Sequence, residues 1–154
     1  EDVENLNIDF NNSPTICTFN CIEHLHNSPK RLLIKCLKLS NYNCNIVIGT
    51  PNSNNLRKRF SMMYGNYSWS NFEQYWNEYP FRGHVREPSL SDLIKIVKAL
   101  GYKKFTTYGR NWLGIYSSNK YISILSRIID PLLKLRPSLC SDIYVSAKEN
   151  CYLK

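Results

Sequence analysis

The sequence predicts an α/β fold, and three observations carry that prediction. A βαβ unit occupies Pro14 to Asn52, a capped amphipathic segment runs from Ser89 to Leu100, and an alternating stretch fills 142–148 near the end. Thr15-Ile16-Cys17-Thr18-Phe19 is a short apolar run and reads as the first strand; it leads into Asn20-Cys21-Ile22-Glu23-His24-Leu25-His26. Ser28-Pro29 is a helix start, with Ser28 as N-cap and Pro29 at the first helical position, where its missing N–H has no partner to lose. The helix then runs to Leu39, with Leu32, Leu33, Cys36, Leu37 and Leu39 along one face and Lys30, Arg31, Lys35 and Lys38 mostly toward solvent. Asn41-Tyr42-Asn43 makes the turn into a second apolar run, 44–49, which ends in Thr50-Pro51-Asn52. Open α/β sheets bind ligands beyond the carboxyl ends of their strands, so Glu23, His24 and Asn52 are expected at a functional edge.

The remaining elements follow in order. Residues 1–14 are polar and Asn-rich and read as loop. Residues 53–82 look like an insertion, with helices over 54–63 and 71–79 and a loop between them. It is dense in aromatics: Tyr64, Tyr67, Trp69, Phe72, Tyr75, Trp76, Tyr79 and Phe81. Such a segment is either a lid over a substrate pocket, since pockets favour aromatic walls, or a helical flap packed on its own core. Ser89-Leu90-Ser91-Asp92 is a capping box in its acidic form, and Gly101 follows the helix as its C′ residue. The expected buried face of that helix is Leu93, Ile94, Ile96, Val97 and Leu100. Residues 103–108 read as a third strand, and Gly109–Ser118 as a loop carrying Trp112. A long helix over 119–135 is expected to be interrupted at Pro131. In the last strand, Ile143, Val145 and Ala147 alternate inward.

Composition bounds the partners. A chain of 154 residues with 43% hydrophobic content suits one domain with a core. The net charge of +8 favours anionic partners. The basic residues are dispersed, apart from Arg57-Lys58-Arg59 and Lys103-Lys104, which suits a solvated basic surface better than a nucleic-acid groove. Six cysteines (17, 21, 36, 44, 140 and 151) show no CxxC spacing and fall largely within predicted elements, which fits a reducing cytosol and a cytoplasmic location. No apolar run is long enough to span a membrane, and no signal peptide is evident. The chain opens at Glu1, and a processed or truncated product is expected.

The order of these motifs resembles a known family. A strand, Asn20-Cys21-Ile22-Glu23-His24-Leu25, a helix, a strand ending in Gly49-Thr50-Pro51-Asn52, and then Gly83-His84-Val85-Arg86-Glu87 before a capped helix is similar to class I S-adenosylmethionine-dependent methyltransferases, of the small-molecule kind that modifies quinone precursors and glycans. The resemblance covers nearly the whole chain and corresponds to the family's C-terminal half. It implies a Rossmann-like methyltransferase half-domain, matching the fourth to seventh strands of a mostly parallel sheet with one antiparallel strand. The family's glycine-rich cofactor loop has no counterpart among glycines 49, 65, 83, 101, 109 and 114. By the same resemblance, Asp2 and Val3 stand where relatives approach the adenine, and Asn20 lines the cofactor pocket. Two positions depart from the pattern: Pro14-Thr15 replaces the usual Phe-Asp, and Tyr42-Asn43-Cys44 replaces Pro-Gly-Gly.

Some relatives bind a divalent metal through a Glu-x-x-Glu-His motif and a distant His, beside the acceptor hydroxyl. Here the motif reads Asn20-x-x-Glu23-His24, with His84 as the distant partner. The resemblance therefore implies Glu23, His24 and His84 as candidate catalytic residues and as ligands for an ion such as Mg, with one negative ligand fewer because Asn20 replaces a Glu. Without metal, His24 or His84 could serve as general base; alternatively Glu23 and His24 only cap the helix and bond backbone. His26 is expected to be a loop residue, and Arg86-Glu87 a structural ion pair.

The implied activity is methyl transfer from S-adenosylmethionine to an oxygen or nitrogen of a small metabolite or glycan. The isolated chain is expected to be inactive for want of the glycine-rich loop. The alternative is a non-catalytic partner-binding subunit or degenerate methyltransferase-like protein, with homo- or hetero-oligomers formed through the edge of the first strand, where unpaired amides invite a second chain.

Overall fold

A computed structural model describes residues 15–40, 44–66, 70–112 and 114–148. The expected Asn-rich loop over 1–14, the turn at 41–43, and Tyr67 and Trp69 of the insertion lie outside the described residues. The elements are β1 (Thr15–Phe19), α1 (Pro29–Leu39), β2 (Asn45–Pro51), α2 (Leu56–Met63), α3 (Phe72–Asn77), α4 (Leu90–Ala99), β3 (Lys104–Arg110), α5 (Lys120–Lys134) and β4 (Asp142–Lys148). Two short 3-10 turns, Ile22–His24 and Pro137–Leu139, were not foreseen from the sequence.

The four strands form one sheet in the order β1-β2-β4-β3. β1 and β2 are parallel, and β4 is antiparallel to both β2 and β3. Three strands therefore run in one direction and β4 alone runs against them, as the sequence led us to expect. Register is set by the period-two alternation of β2 and β4: Ile46 faces Ala147, Ile48 faces Val145 and Thr50 faces Ile143. These residues join Leu33 and Leu37 of α1 with Leu93 and Val97 of α4 in one core on one face of the sheet. Cys17, Phe19, Val47, Tyr108 and Tyr144 occupy the alternate positions and are exposed or half-buried.

Local signals explain the helices. Ser28 accepts from the Lys30 amide, and Pro29 opens α1. Asn55 and Asn71 cap α2 and α3 in the same manner, accepting from the amides of Lys58 and Gln74. Ser89 and Asp92 make a full capping box at α4, and Gly101 has a positive φ of 90°. The hydrogen bond from the Ser89 amide holds the Asp92 carboxyl below its ordinary range, against some burial. α2 and α3 bury none of their side chains.

α5 corrects one expectation. It is continuous through Pro131, which lies on the exposed side. Anchors on either side of the missing N–H hold it: Asn111 donates to Asp130 (3.0 Å), Lys134 pairs with Asp130 (2.6 Å), and the Leu135 amide donates to the Pro131 carbonyl (3.3 Å).

Gly49 sits opposite Phe19 on one side and Tyr144 on the other. The two rings meet edge to face across it, with centroids 6.0 Å apart, and a Cβ there would lie 2.5 Å from the Tyr144 ring and 2.7 Å from Phe19. Gly49→Ala is expected to destabilise the protein by about 1–3 kcal/mol in urea denaturation, through overpacking. Ser89→Ala should cost about 1 kcal/mol near neutral pH. The Asp92 carboxyl has a lowered folded-state pKa, so its contribution is present above the unfolded value, about 3.9, and is lost as pH falls through the folded one. The stability gap between wild type and Asp92→Asn should accordingly shrink in acid.

Candidate functional site

The carboxyl ends of β1, β2 and β3 and the start of β4 lie along one edge of the sheet. At the end of β1 the chain turns through Asn20, a non-glycine residue in the left-handed region (φ 47°), whose amide donates to the Gly49 carbonyl at 3.0 Å. Asn tolerates that conformation because its short polar side chain adds little clash. The turn directs the Ile22–His24 segment back under the edge, and Ile22 anchors it in the core.

Glu23 is fully buried. Its Oε2 accepts from the Thr50 hydroxyl at 3.1 Å, while its Oε1 has no hydrogen-bond partner among the described residues. Its backbone carbonyl accepts from the amides of Val85 (2.8 Å) and Arg86 (3.2 Å), which clamps the 83–87 segment against the turn. That clamp brings His84 beside His24, with ring centroids 4.7 Å apart and planes at 72°.

The tautomers follow from the partners. His24 Nδ1 lies 3.0 Å from the Arg82 carbonyl oxygen and 3.2 Å from that of Gly83. Carbonyls only accept, so Nδ1 carries a proton, and in the neutral ring the lone pair is then on Nε2. His84 Nδ1 lies 2.7 Å from Glu87 Oε1, which assigns its proton in the same way. Glu87, itself buried, also accepts from Lys58 Nζ of α2. The row Lys58–Glu87–His84 thus orients one imidazole from behind. One ligand atom each from Glu23, His24 and His84 falls within a span of 4.8 Å, and no other such trio of metal-ligating residue types occurs among the described residues. The nearby Cys21 thiol is pushed up, first by burial and then by the charge of Glu23, so it stays protonated.

His84 stands between two cavities. One, about 380 Å³, is polar at its rim and lined by Arg57, Lys58, Glu87, Trp112 and Asp142. Burial raises the Asp142 carboxyl pKa, and a hydrogen bond from Trp112 Nε1 (3.2 Å) opposes the rise. The other, about 500 Å³, is walled by Phe72, Tyr75, Phe81, His26 and Val85 and belongs to the aromatic insertion.

The sequence-predicted residues therefore divide. Glu23, His24 and His84 come together, and Asn20 stands at the turn that positions them. Asp2 and Val3 lie outside the described residues. Asn52 is at the edge but structural: it is fully buried, its amide donates to the carbonyls of Ser138 (2.9 Å) and Cys140 (2.8 Å), and its Oδ1 accepts from the Asn54 amide. Glu87 pairs with His84 and Lys58, not with Arg86, which is exposed. His26 is a loop residue whose Nε2 donates to the Phe81 carbonyl at 3.3 Å. Thr50 and Glu87 were missed as site residues; the i,i+3 spacing of His84 and Glu87 was the available signal.

No family model and no curated protein matches this chain. Among solved structures it is similar to a SAM-dependent methyltransferase from Archaeoglobus fulgidus, at 18% identity and a TM-score of 0.50 over 88% of this chain and 59% of that one. The chain thus spans less than two thirds of that structure's length. The fold is Rossmann-like and methyltransferase-like.

Thr50→Val removes the hydroxyl that donates to the Glu23 carboxylate, its one side-chain hydrogen bond among the described residues. It is expected to destabilise the protein by about 1–3 kcal/mol, more than Thr50→Ser, which keeps the hydroxyl. Urea titration of both variants checks this.

Proposed function

We propose that this chain forms the acceptor-side part of an S-adenosylmethionine-dependent methyltransferase acting on an oxygen or nitrogen of a small metabolite or glycan, with a divalent metal held by Glu23, His24 and His84. One observation carries the reading. A fully buried carboxylate leaves Oε1 unanswered beside two imidazoles whose Nδ1 atoms are already engaged by carbonyl or carboxylate oxygens. A ligating histidine characteristically has its second nitrogen occupied in this manner, by a group that fixes tautomer and ring orientation. The residues present fit a metal, and two imidazoles with one carboxylate suit Mn²⁺, Co²⁺ or Zn²⁺ better than Mg²⁺, which prefers oxygen ligands.

The bound metal would lower the pKa of an acceptor hydroxyl and help orient its oxygen, and the cofactor's sulfonium would supply the electrophilic methyl group. The protein's own share is placement. Glu87 and Lys58 hold His84, the Arg82 and Gly83 carbonyls hold His24, and Phe72, Tyr75 and Phe81 offer an apolar wall to an acceptor. Holding the acceptor in line accounts for much of the rate in such a transfer. Asp2, Val3 and Asn20 are assigned to the cofactor side, and a cytoplasmic location goes with this reading.

Metal binding is measurable apart from activity. Mn²⁺ or Co²⁺ should raise the melting temperature, equivalent to about 2.7 kcal/mol at a metal concentration 100 times Kd, and Co²⁺ should give a visible absorption band. Glu23→Gln should abolish both responses while leaving the metal-free protein as stable or more so, because a buried charge is removed. His84→Ala should weaken binding by at least about tenfold. A wild-type protein that shows neither response to any of these ions would defeat the metal assignment. The methyl-transfer assignment is tested separately, by transfer of label from S-adenosylmethionine to hydroxylated acceptors.

A further inference from the structure

α5 is inverted relative to an ordinary surface helix. Its inward row is Ser123, Ser126 and Asp130, flanked by the half-buried Ile129 and Leu133. Ser123 donates to the Ile115 carbonyl at 2.8 Å, and Asp130 accepts from Asn111. The outward strip is Tyr121, Leu125, Ile128 and Leu132, continued by Leu135 and flanked by Ile122 and Ile124. Tyr121 is 84% exposed, Ile128 and Leu132 65% each and Leu135 82%, and no residue of the helix is buried. A soluble helix places such a strip against a core.

Charge narrows what covers it. Lys120, Arg127 and Lys134 are spaced seven apart and form one cationic row along a flank of the strip, with Arg136 just beyond. The helix's one acid, Asp130, is turned inward and engaged by Asn111 and Lys134. An antiparallel two-fold contact between copies of this chain would set two such cationic rows along the same rim, which is repulsive. An apolar strip with a basic flank and an exposed Tyr at one end is instead the pattern of a helix that lies in the plane of an anionic lipid surface. The chain's net charge of +8 adds long-range attraction to such a surface. No described helix is long and apolar enough to cross a membrane, so this contact lies on the surface rather than through it.

We propose that α5 docks this protein on an anionic membrane surface by its Tyr121–Leu135 strip. The helix connects the end of β3 to the start of β4, both at the candidate-site edge. A groove of about 230 Å³ between α5 and α2, lined by Leu56, Phe60, Ile129 and Leu133, runs beside it. The proposal stands independently of methyl transfer and of metal binding.

The test is flotation with vesicles of phosphatidylcholine alone and of phosphatidylcholine mixed with phosphatidylglycerol, alongside sedimentation velocity of the free protein. Binding is expected to the mixed vesicles, at least about tenfold stronger than to the neutral ones and weakened by salt. Ile128→Asp with Leu132→Asp should lower it by at least about tenfold while circular dichroism stays unchanged. Lys120→Glu with Arg127→Glu, which leaves the strip intact, should erase the preference for anionic lipid. Three results overturn the proposal: no association with the mixed vesicles, association that the Ile128/Leu132 variant retains, or a stable dimer that the same variant dissociates.

Discussion

The structure depends on four residues at the end of β2. Within the run Gly49-Thr50-Pro51-Asn52, Gly49, Thr50 and Asn52 each settle a different contact at the point where three strands and two connections converge. Gly49 makes room for the Phe19 and Tyr144 rings on the open face and, through its carbonyl, receives the Asn20 amide. Thr50, on the core face, reaches Glu23. Asn52 holds the entry to β4 by two hydrogen bonds to the Ser138 and Cys140 carbonyls, while its own carbonyl accepts from the side chain of Asn55, the cap of α2. A parallel pair and an antiparallel pair meet on β2, and these side chains close the irregular backbone that such a junction leaves.

The sheet is built from one side. β2 and β4 send Ile46, Ile48, Val145 and Ala147 into a core shared with α1 and α4, while the opposite face carries Cys17, Phe19, Tyr108 and Tyr144 with little over them among the described residues. Parallel pairs are ordinarily covered on both faces. The aromatic and β-branched residues on the open face keep the strands regular through cross-strand contacts, which is a weaker constraint than burial. The organised chemistry lies at the strand ends, where the turn after β1 and the 83–87 segment meet.

Much of this was legible from residue order alone. The bounds of β1, α1 and β4 agree with their apolar patterns to the residue, because Ser28-Pro29 and strict alternation leave little freedom. The capping box and Gly101 marked α4 for the same reason. The continuity of α5 was not legible, because one of the contacts that hold it beside Pro131 comes from Asn111, nineteen residues from Asp130 and on another element. The convergence of Glu23, His24 and His84 was suggested by motif order, but the Val85 and Arg86 amides that enforce it are backbone groups and leave no mark in side-chain identity. Asn52 was expected at an open edge rather than in a core, because an Asn at a strand end carries the same letter whether it meets a ligand or two buried carbonyls.

Glu23 is the residue whose burial stability alone explains least well. A carboxylate taken fully out of water is costly unless its oxygens are answered, and here one hydroxyl answers one oxygen. A purely structural residue at this position would be better served by a neutral side chain of the same size, or by a second donor at Oε1. No second donor is seen at Oε1 among the described residues, and the Nδ1 atoms of His24 and His84 are engaged by carbonyl and carboxylate oxygens. One ligand atom from each of the three residues lies within 4.8 Å of the others. The Lys58–Glu87 pair holds that arrangement from behind, since its carboxylate anchors His84 while its ammonium is directed away, to the other carboxylate oxygen. A buried carboxylate beside two imidazoles oriented from behind is the arrangement on which the proposed metal site rests.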